Sequence, residues 1–142
     1  MSKDQQIIET THQNIIETVE QKSYVRFITY GGGTVLDTVT NLMWANMSIG
    51  DGITWPEAKS YCENYRGGGY MDWRMPTLDE MEGLYKSESF KDVIEISRWF
   101  LWASEARVIE AATFDFRNGE RLLLLPSSLN QYHGVLPVRS CK

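Results

Sequence analysis

Eleven residues, Gly67-Gly68-Gly69-Tyr70-Met71-Asp72-Trp73-Arg74-Met75-Pro76-Thr77, constrain this chain more than any other segment. Three consecutive glycines make a turn, Pro76 halts extended backbone, and Thr77 with Glu80 three residues later forms a capping box that starts a helix. Only a short strand fits between them, so Asp72-Trp73-Arg74 must lie between a turn and a capped helix. That position is poorly exposed. Arg74 offers a planar fork and Trp73 a stacking face, which a ligand clamp would use. The scaffold reading is the better one: Trp73 fills the core, and Arg74 pairs with a buried carboxylate or with carbonyls, holding the glycine turn against the helix.

The same device occurs upstream. Thr54 and Glu57 make a second capping box, with Pro56 tolerated in the first turn and Trp55, Ala58, Tyr61, Cys62 and Tyr65 on one helical face. The helix after Thr77 turns Leu78, Met81, Leu84 and Tyr85 inward. From Tyr24 to Tyr30 apolar and polar residues alternate as in a strand, which stops at Gly31-Gly32-Gly33. Thr34–Asp37 and Leu42–Ala45 read as a hairpin containing Trp44. After a polar stretch from Lys86 to Ile96, the chain is extended at 99–103, 111–116, 121–125 and 135–140, with Asn118-Gly119 as the strongest hairpin turn. The order predicts an α+β fold with two short helices and a small, mainly antiparallel twisted sheet, the last strand lying near the first.

Residues 1–22 stand apart from the domain expected over 23–142. They repeat Ile-Ile-Glu-Thr at 7–10 and 15–18 and set Ile8, His12, Ile15, Ile16 and Val19 on one side at helical spacing. This amphipathic helix reads functionally as a stalk or oligomerisation helix that would form a homo-oligomer; the favoured alternative is a helix lying on the domain or a leftover linker, because two heptads are too few for a coiled coil.

Charge and composition exclude several functions. With 142 residues and 42% hydrophobic content the chain fits one globular domain. A net charge of -5 argues against nucleic acid as a partner, because counterion release needs clustered Lys and Arg. No apolar run reaches the length of a membrane span and the N-terminus has no apolar signal core, so neither direct membrane insertion nor a signal peptide is read here. Neither triple glycine is followed by the Lys-Ser/Thr or the spacing of a phosphate loop. His12 and His133 lie far apart with no ligand pattern, so no zinc site is expected, which leaves a site of scattered oxygens from Asp115, Glu105 and Asn130 as the alternative; no cofactor is expected. Ser127-Ser128 lie near His133 without a nucleophile-elbow frame, and the paired carboxylates sit at a helix start where they favour the macrodipole. The two cysteines, Cys62 and Cys141, either bridge a loop of about 80 residues, worth roughly 4 kcal/mol in the chain-entropy model, or remain two thiols.

The stretch from Ser104 to Gly134 has the composition of a polar recognition surface. Glu105, Arg107, Asp115, Arg117, Asn118, Asn130, Gln131, Tyr132 and His133 combine hydrogen-bonding groups with a ring for stacking, among turn residues. They are the candidate ligand-binding residues; the alternative is a set of solvated loops.

Taken together, Leu36-Asp37 with Asn41-Leu42-Met43-Trp44, Trp55-Pro56-Glu57-Ala58 to Tyr61-Cys62, Gly69 through Asp72-Trp73-Arg74-Met75-Pro76-Thr77 with Glu80-Met81, Trp102-Ala103-Ser104, and Val138-Arg139-Ser140-Cys141 resemble the Lcl C-terminal domain family over about residues 25 to 142. The family takes its name from a bacterial collagen-like adhesin and is similar to C-type-lectin-like and formylglycine-generating-enzyme-like folds. The resemblance implies a C-type-lectin-like fold in which Trp44, Trp55, Asp72, Trp73 and Arg74 are structural and Cys62 pairs with Cys141. It implies a non-catalytic bacterial recognition module, extracytoplasmic at the cell surface, in the periplasm or secreted, that adheres to a glycan or protein ligand. The chain lacks a cationic patch for sulfated glycans and the Glu-Pro-Asn and Trp-Asn-Asp motifs of calcium-bridged sugar binding. Two other functions fit the resemblance: a formylglycine-generating-type oxidase and a structural or oligomerisation subunit of a surface assembly.

Overall fold

The computed structural model describes residues 25–127 and 133–141. Eight strands and two α-helices follow in the order β1 (Phe27–Tyr30), β2 (Thr34–Asp37), β3 (Leu42–Ala45), α1 (Trp55–Asn64), α2 (Leu78–Ser87), β4 (Phe100–Ala106), β5 (Ala111–Asp115), β6 (Glu120–Leu124), β7 (His133–Gly134) and β8 (Val138–Ser140). The α+β class and the two helices agree with the sequence reading, but there are two four-stranded sheets rather than one, ordered β1-β2-β3-β8 and β6-β5-β4-β7. All pairings are antiparallel except that of β4 with β7. The last strand therefore joins the first hairpin through β3, with Trp44 opposite Val138, and lies two strands away from β1. The N-terminal helix expected over residues 1–22 lies outside the described residues.

Both capping boxes form. Glu57 N donates to Thr54 Oγ1 at 3.4 Å while Thr54 N donates to Glu57 Oε1 at 2.8 Å. Glu80 N donates to Thr77 Oγ1 at 3.1 Å and Thr77 N to Glu80 Oε1 at 2.9 Å. Each box satisfies amide donors that a helix start would otherwise leave without partners.

Alternation along β4 and β5 decides where the core sits. Leu101, Ala103, Ala112 and Phe114 face Val35 and Trp44 of the first sheet and Met81 and Leu84 of α2, forming the main core. Trp102 and Ala111 point the other way and pack with Ala58 and Cys62 of α1 and with Met75 and Val135. Both faces of β5 are thus covered, and all five of its residues are buried. Trp102 Nε1 donates to the Ile53 carbonyl at 2.8 Å and Trp55 Nε1 to the Ala103 carbonyl at 2.7 Å, fixing α1 against the sheet from both sides.

Two local departures have simple causes. The stretch from Lys86 to Ile96 is not merely polar: a short 3-10 turn at Ser89–Asp92 drives Phe90 into the main core, and Ile94 follows it. Two apolar side chains four residues apart are enough to plug the end of a core when a turn aims them inward. The sequence also expected β4 to start at Trp99; the strand runs from Phe100 to Ala106 with a register shift between Trp102 and Ala106, leaving Trp99 partly exposed before it.

The disulfide expected between Cys62 and Cys141 is absent: both cysteines are free. Cys62 is buried on α1 beneath the second sheet, against Met75 and Trp102. Cys141 follows β8 at the edge of the first sheet, where Arg139 Nη1 approaches its Sγ at 3.6 Å and Cys141 N donates to the Asn41 carbonyl at 2.9 Å. The end of β8 is therefore closed by backbone pairing.

Candidate functional site

The two glycine runs meet. Gly31-Gly32-Gly33 turns the chain from β1 into β2, and Gly67–Gly69 forms a short 3-10 turn with Gly68 at φ +66°. A Cβ on Gly32 would stand only 3.0 Å from the Gly68 Cα, so the backbones are in direct contact and a side chain would force them apart.

This contact walls an open cleft of about 670 Å³ that runs along the first sheet from Tyr30 and Thr34 to Leu36, Met43 and Cys141. Tyr30 precedes one glycine run and Tyr70 follows the other; both tyrosines line the cleft, and both are exposed, at 48% and 40%. Thr34, Met43 and Cys141 also contribute to the lining.

Three consecutive residues hold the second turn in place, each by a different anchor. Asp72 accepts from Arg139 Nε at 2.6 Å and from Arg139 Nη2 at 3.2 Å. Trp73, 3% exposed, donates from Nε1 to the Gly67 carbonyl at 3.1 Å and meets Tyr65 edge-on at 4.8 Å. Arg74 places its guanidinium against both Glu80 carboxylate oxygens at 2.8 and 2.9 Å, while its backbone N–H and C=O pair with Val138. Burial alone would raise the Glu80 carboxyl, but the hydrogen bonds from Arg74 and Thr77 and the Arg74 charge outweigh it, so Glu80 ionises below its ordinary range. Trp44 is fully buried in the main core, and among the described residues its Nε1 has no hydrogen-bond partner.

Arg139 is the charge nearest the cleft, and it is committed elsewhere. Its guanidinium carbon lies 3.7 Å from the Tyr70 ring centroid while its donors face Asp72. The Asp72 hydrogen bond chiefly holds the guanidinium protonated above its ordinary value. The cleft thus presents phenol rings, hydroxyls and bare peptide groups with its neighbouring charge neutralised.

Of the nine polar residues expected to form one site, the six that are described lie at two ends of the β4–β5 hairpin. The β4–β5 ladder runs from Ala106 opposite Ala111 to Phe100 opposite Asp115, a length of about 15 Å at the usual rise per residue. Glu105 and Arg107 lie at one end; Asp115, Arg117, Asn118 and His133 lie at the other. Glu105 receives the Leu78 amide at 3.0 Å and so serves the start of α2. Asp115, buried, accepts from Arg117 Nη2 at 2.8 Å and from the Arg117 backbone at 2.9 Å; the Arg117 hydrogen bond is the chief cause of its ionising below the ordinary carboxylate range. Arg117 also stacks on Trp99 at 4.6 Å and Phe100 at 5.0 Å. Asn118 donates to Glu120 across the turn at 2.6 Å. His133 is 2% exposed, 4.9 Å from the Trp102 ring and 5.6 Å from Phe100, and its Nδ1 has no partner among the described residues. Burial pushes its protonation below the ordinary histidine range. Asn130, Gln131 and Tyr132 lie outside the described residues.

No group of three or more His, Cys, Asp or Glu side chains that could hold a metal ion occurs among the described residues. No helix among them is long and apolar enough to cross a membrane.

Two mainly antiparallel sheets, two capped helices and a glycine-walled cleft define an α+β domain whose sequence signature lies in the strand and turn leading into its second helix. The chain belongs to the Lcl C-terminal domain family, which it matches over residues 33–139. The matched segment includes Gly67–Gly69, the Asp72-Trp73-Arg74 anchors and β8 as far as Arg139, while Tyr30 and Gly32 precede it. A search of curated proteins finds no match to the chain.

Sequence reasoning treated both glycine runs as plain turns and missed the cleft between them. A signal was present in the mirrored order Tyr30-Gly31-Gly32-Gly33 and Gly67-Gly68-Gly69-Tyr70, which puts an aromatic ring beside each turn. Only their contact in space turns that pattern into a site.

Proposed function

We propose that this chain is a non-catalytic recognition module of a bacterial surface, adhesin-like, that acts outside the cytoplasm and binds a glycan or protein. Membership of the Lcl C-terminal domain family supports this reading, and the two-sheet, two-helix arrangement is read as a C-type-lectin-like fold. The observation that carries it is the open cleft flanked by exposed Tyr30 and Tyr70 on a scaffold fixed by buried Trp73 and by the Asp72–Arg139 and Arg74–Glu80 pairs. Exposed aromatic rings over a rigid, pre-formed concavity supply contact area at little ordering cost. The polar groups at both ends of the β4–β5 hairpin are mostly engaged in holding turns and helix starts, so recognition is assigned to the cleft.

Cys62 is buried, and desolvation pushes its thiol well above the ordinary cysteine range, which favours the thiol over the reactive thiolate. This places the oxidase reading behind the binding one. An array carrying neutral glycans, sulfated glycans and extracellular-matrix proteins tests the function. Saturable binding without chemical change of the bound target is expected, lost in Tyr30→Ala and kept in Arg107→Ala. Turnover of a target, or retention on nothing in the array, contradicts the reading.

A further inference from the structure

The cleft's chemistry narrows its ligand. We infer that the Tyr30/Tyr70 cleft takes an uncharged saccharide, one sugar ring resting its C–H face on a tyrosine while its hydroxyls meet peptide groups of the glycine turns; this rests on the recognition reading above.

Three features of the site carry this inference. Both tyrosines are partly open to solvent at the cleft, and a phenol ring offers an apolar face with a polar edge, matching a pyranose that has an apolar C–H face and a hydroxylated rim. Gly32, Gly68 and Gly69 line the same cleft with no side chains to screen their backbone, so peptide groups of Gly32 and Gly68 are within reach of ligand hydroxyls, while the Gly69 N–H donates to the Arg66 carbonyl at 2.9 Å. The neighbouring cation, Arg139, is held by both Asp72 oxygens and stacked on Tyr70, so an anionic ligand meets no uncompensated charge. A sulfated or carboxylated ligand would instead need free Lys or Arg at the rim. The volume of about 670 Å³ falls within the range of small-ligand clefts and holds a short oligosaccharide rather than a folded partner.

The position of Tyr30 suits this role. It ends an edge strand and is 48% exposed, so its ring contributes little to the core and can serve a ligand without loss of stability. Tyr70 has a second task, covering Arg139, whose guanidinium stays paired with Asp72 when the ring is removed. The two tyrosines therefore make different tests: one removes a stacking surface alone, the other also uncovers the Asp72–Arg139 pair.

The test titrates isotope-labelled full-length protein with cellotriose, maltotriose, chitotriose and a heparin-derived sulfated disaccharide, following backbone amide resonances. At least one neutral trisaccharide should shift the Gly32, Gly68 and Gly69 amides saturably, and Tyr30→Ala should weaken it about tenfold while Tyr30→Phe keeps most of the affinity. Tyr70→Ala should weaken the neutral sugar, and the sulfated disaccharide should still not bind, because Asp72 keeps Arg139 compensated. The inference is overturned if no neutral sugar shifts these amides, if the shifts fall elsewhere, or if only the sulfated disaccharide binds wild type. Those outcomes leave the recognition reading standing whenever the broader array still captures a glycan or protein, and that reading falls only with the array.

Discussion

Gly32 and Gly68 touch backbone to backbone, with the Gly68 Cα 3.0 Å from where a Gly32 Cβ would stand. Two turns thirty-six positions apart in sequence thereby become one wall of one cleft. At Gly68 a Cβ would also meet Thr34 Cγ2 at 3.1 Å and the Tyr70 ring at 3.2 Å, at a φ that L residues rarely adopt.

Alanine at either contact should cost stability in proportion to what must move. Gly32→Ala pushes on backbone, and Gly68→Ala adds left-handed strain; each should lose about 1–3 kcal/mol in urea unfolding. Gly31→Ala, with nothing within 4 Å of its Cβ, should change stability by less than about 0.5 kcal/mol. Equal effects at Gly31 and Gly32 would show that the turns do not meet.

The Arg74–Glu80 pair ties the short strand to the start of α2. Arg74→Ala leaves a half-buried carboxylate with only the Thr77 groups and should cost about 1–2 kcal/mol. Arg74→Lys should recover only part, because an ammonium cannot span both carboxylate oxygens. Full recovery by lysine in thermal unfolding would argue that charge alone matters there.

Acid should destabilise the protein by way of its paired carboxylates. Asp37 is 1% exposed, and burial alone would raise its carboxyl; the hydrogen bonds from Arg26, Thr40 and Val39 and the Arg26 charge outweigh that, so it ionises below its ordinary 3.8. Glu80 likewise lies below 4.5. A carboxyl depressed on folding contributes stability above its unfolded value and loses it as pH falls through the folded one. Melting temperature should therefore fall steadily from about pH 4.5 downward, with a shallower slope in Asp37→Asn, which starts from lower stability. An unchanged slope in that variant would remove Asp37 from the account.

His133 adds a separate dependence at higher pH. Its protonation is depressed by burial, so the folded protein binds that proton less well than the unfolded chain, and stability falls as pH drops below about 6.5. His133→Phe, which keeps a ring against Trp102 and Phe100, should flatten the melting temperature between pH 6.5 and 5. Persistence of the slope in that variant would place it on another group.

The cysteines give a chemical test of the packing. Denatured, unreduced protein should titrate two thiols; in the native state Cys141 should react first and Cys62 only on unfolding. No titratable thiol after denaturation would restore the bridge and overturn the arrangement of α1 and β8 described above.

The local elements were legible because their causes are local. Thr54 with Glu57 and Thr77 with Glu80 state both helix starts in four residues, and Asn118-Gly119 states the β5–β6 turn, where Gly119 takes φ +80°. The pairing of β8 with β3 was not legible, since nothing near Val138 specifies Trp44 as its partner. The same holds for Phe90, whose burial depends on where the 3-10 turn points, and for Glu105 and Asp115, whose residue types fit a ligand site but whose partners are Leu78 and Arg117. Composition marks these loops as polar; only distances show that Glu105 and Asp115 also hold a helix start and a turn.

The most direct test of recognition at the cleft is an amide-shift map of labelled protein with the tightest-binding target from the array. The account predicts that Gly32, Gly68, Gly69 and Tyr70 move with ligand while Arg107 and Asn118 stay still. Movement confined to Arg107 or to the Asp115–Asn118 turn, with the glycine turns unmoved, would contradict it.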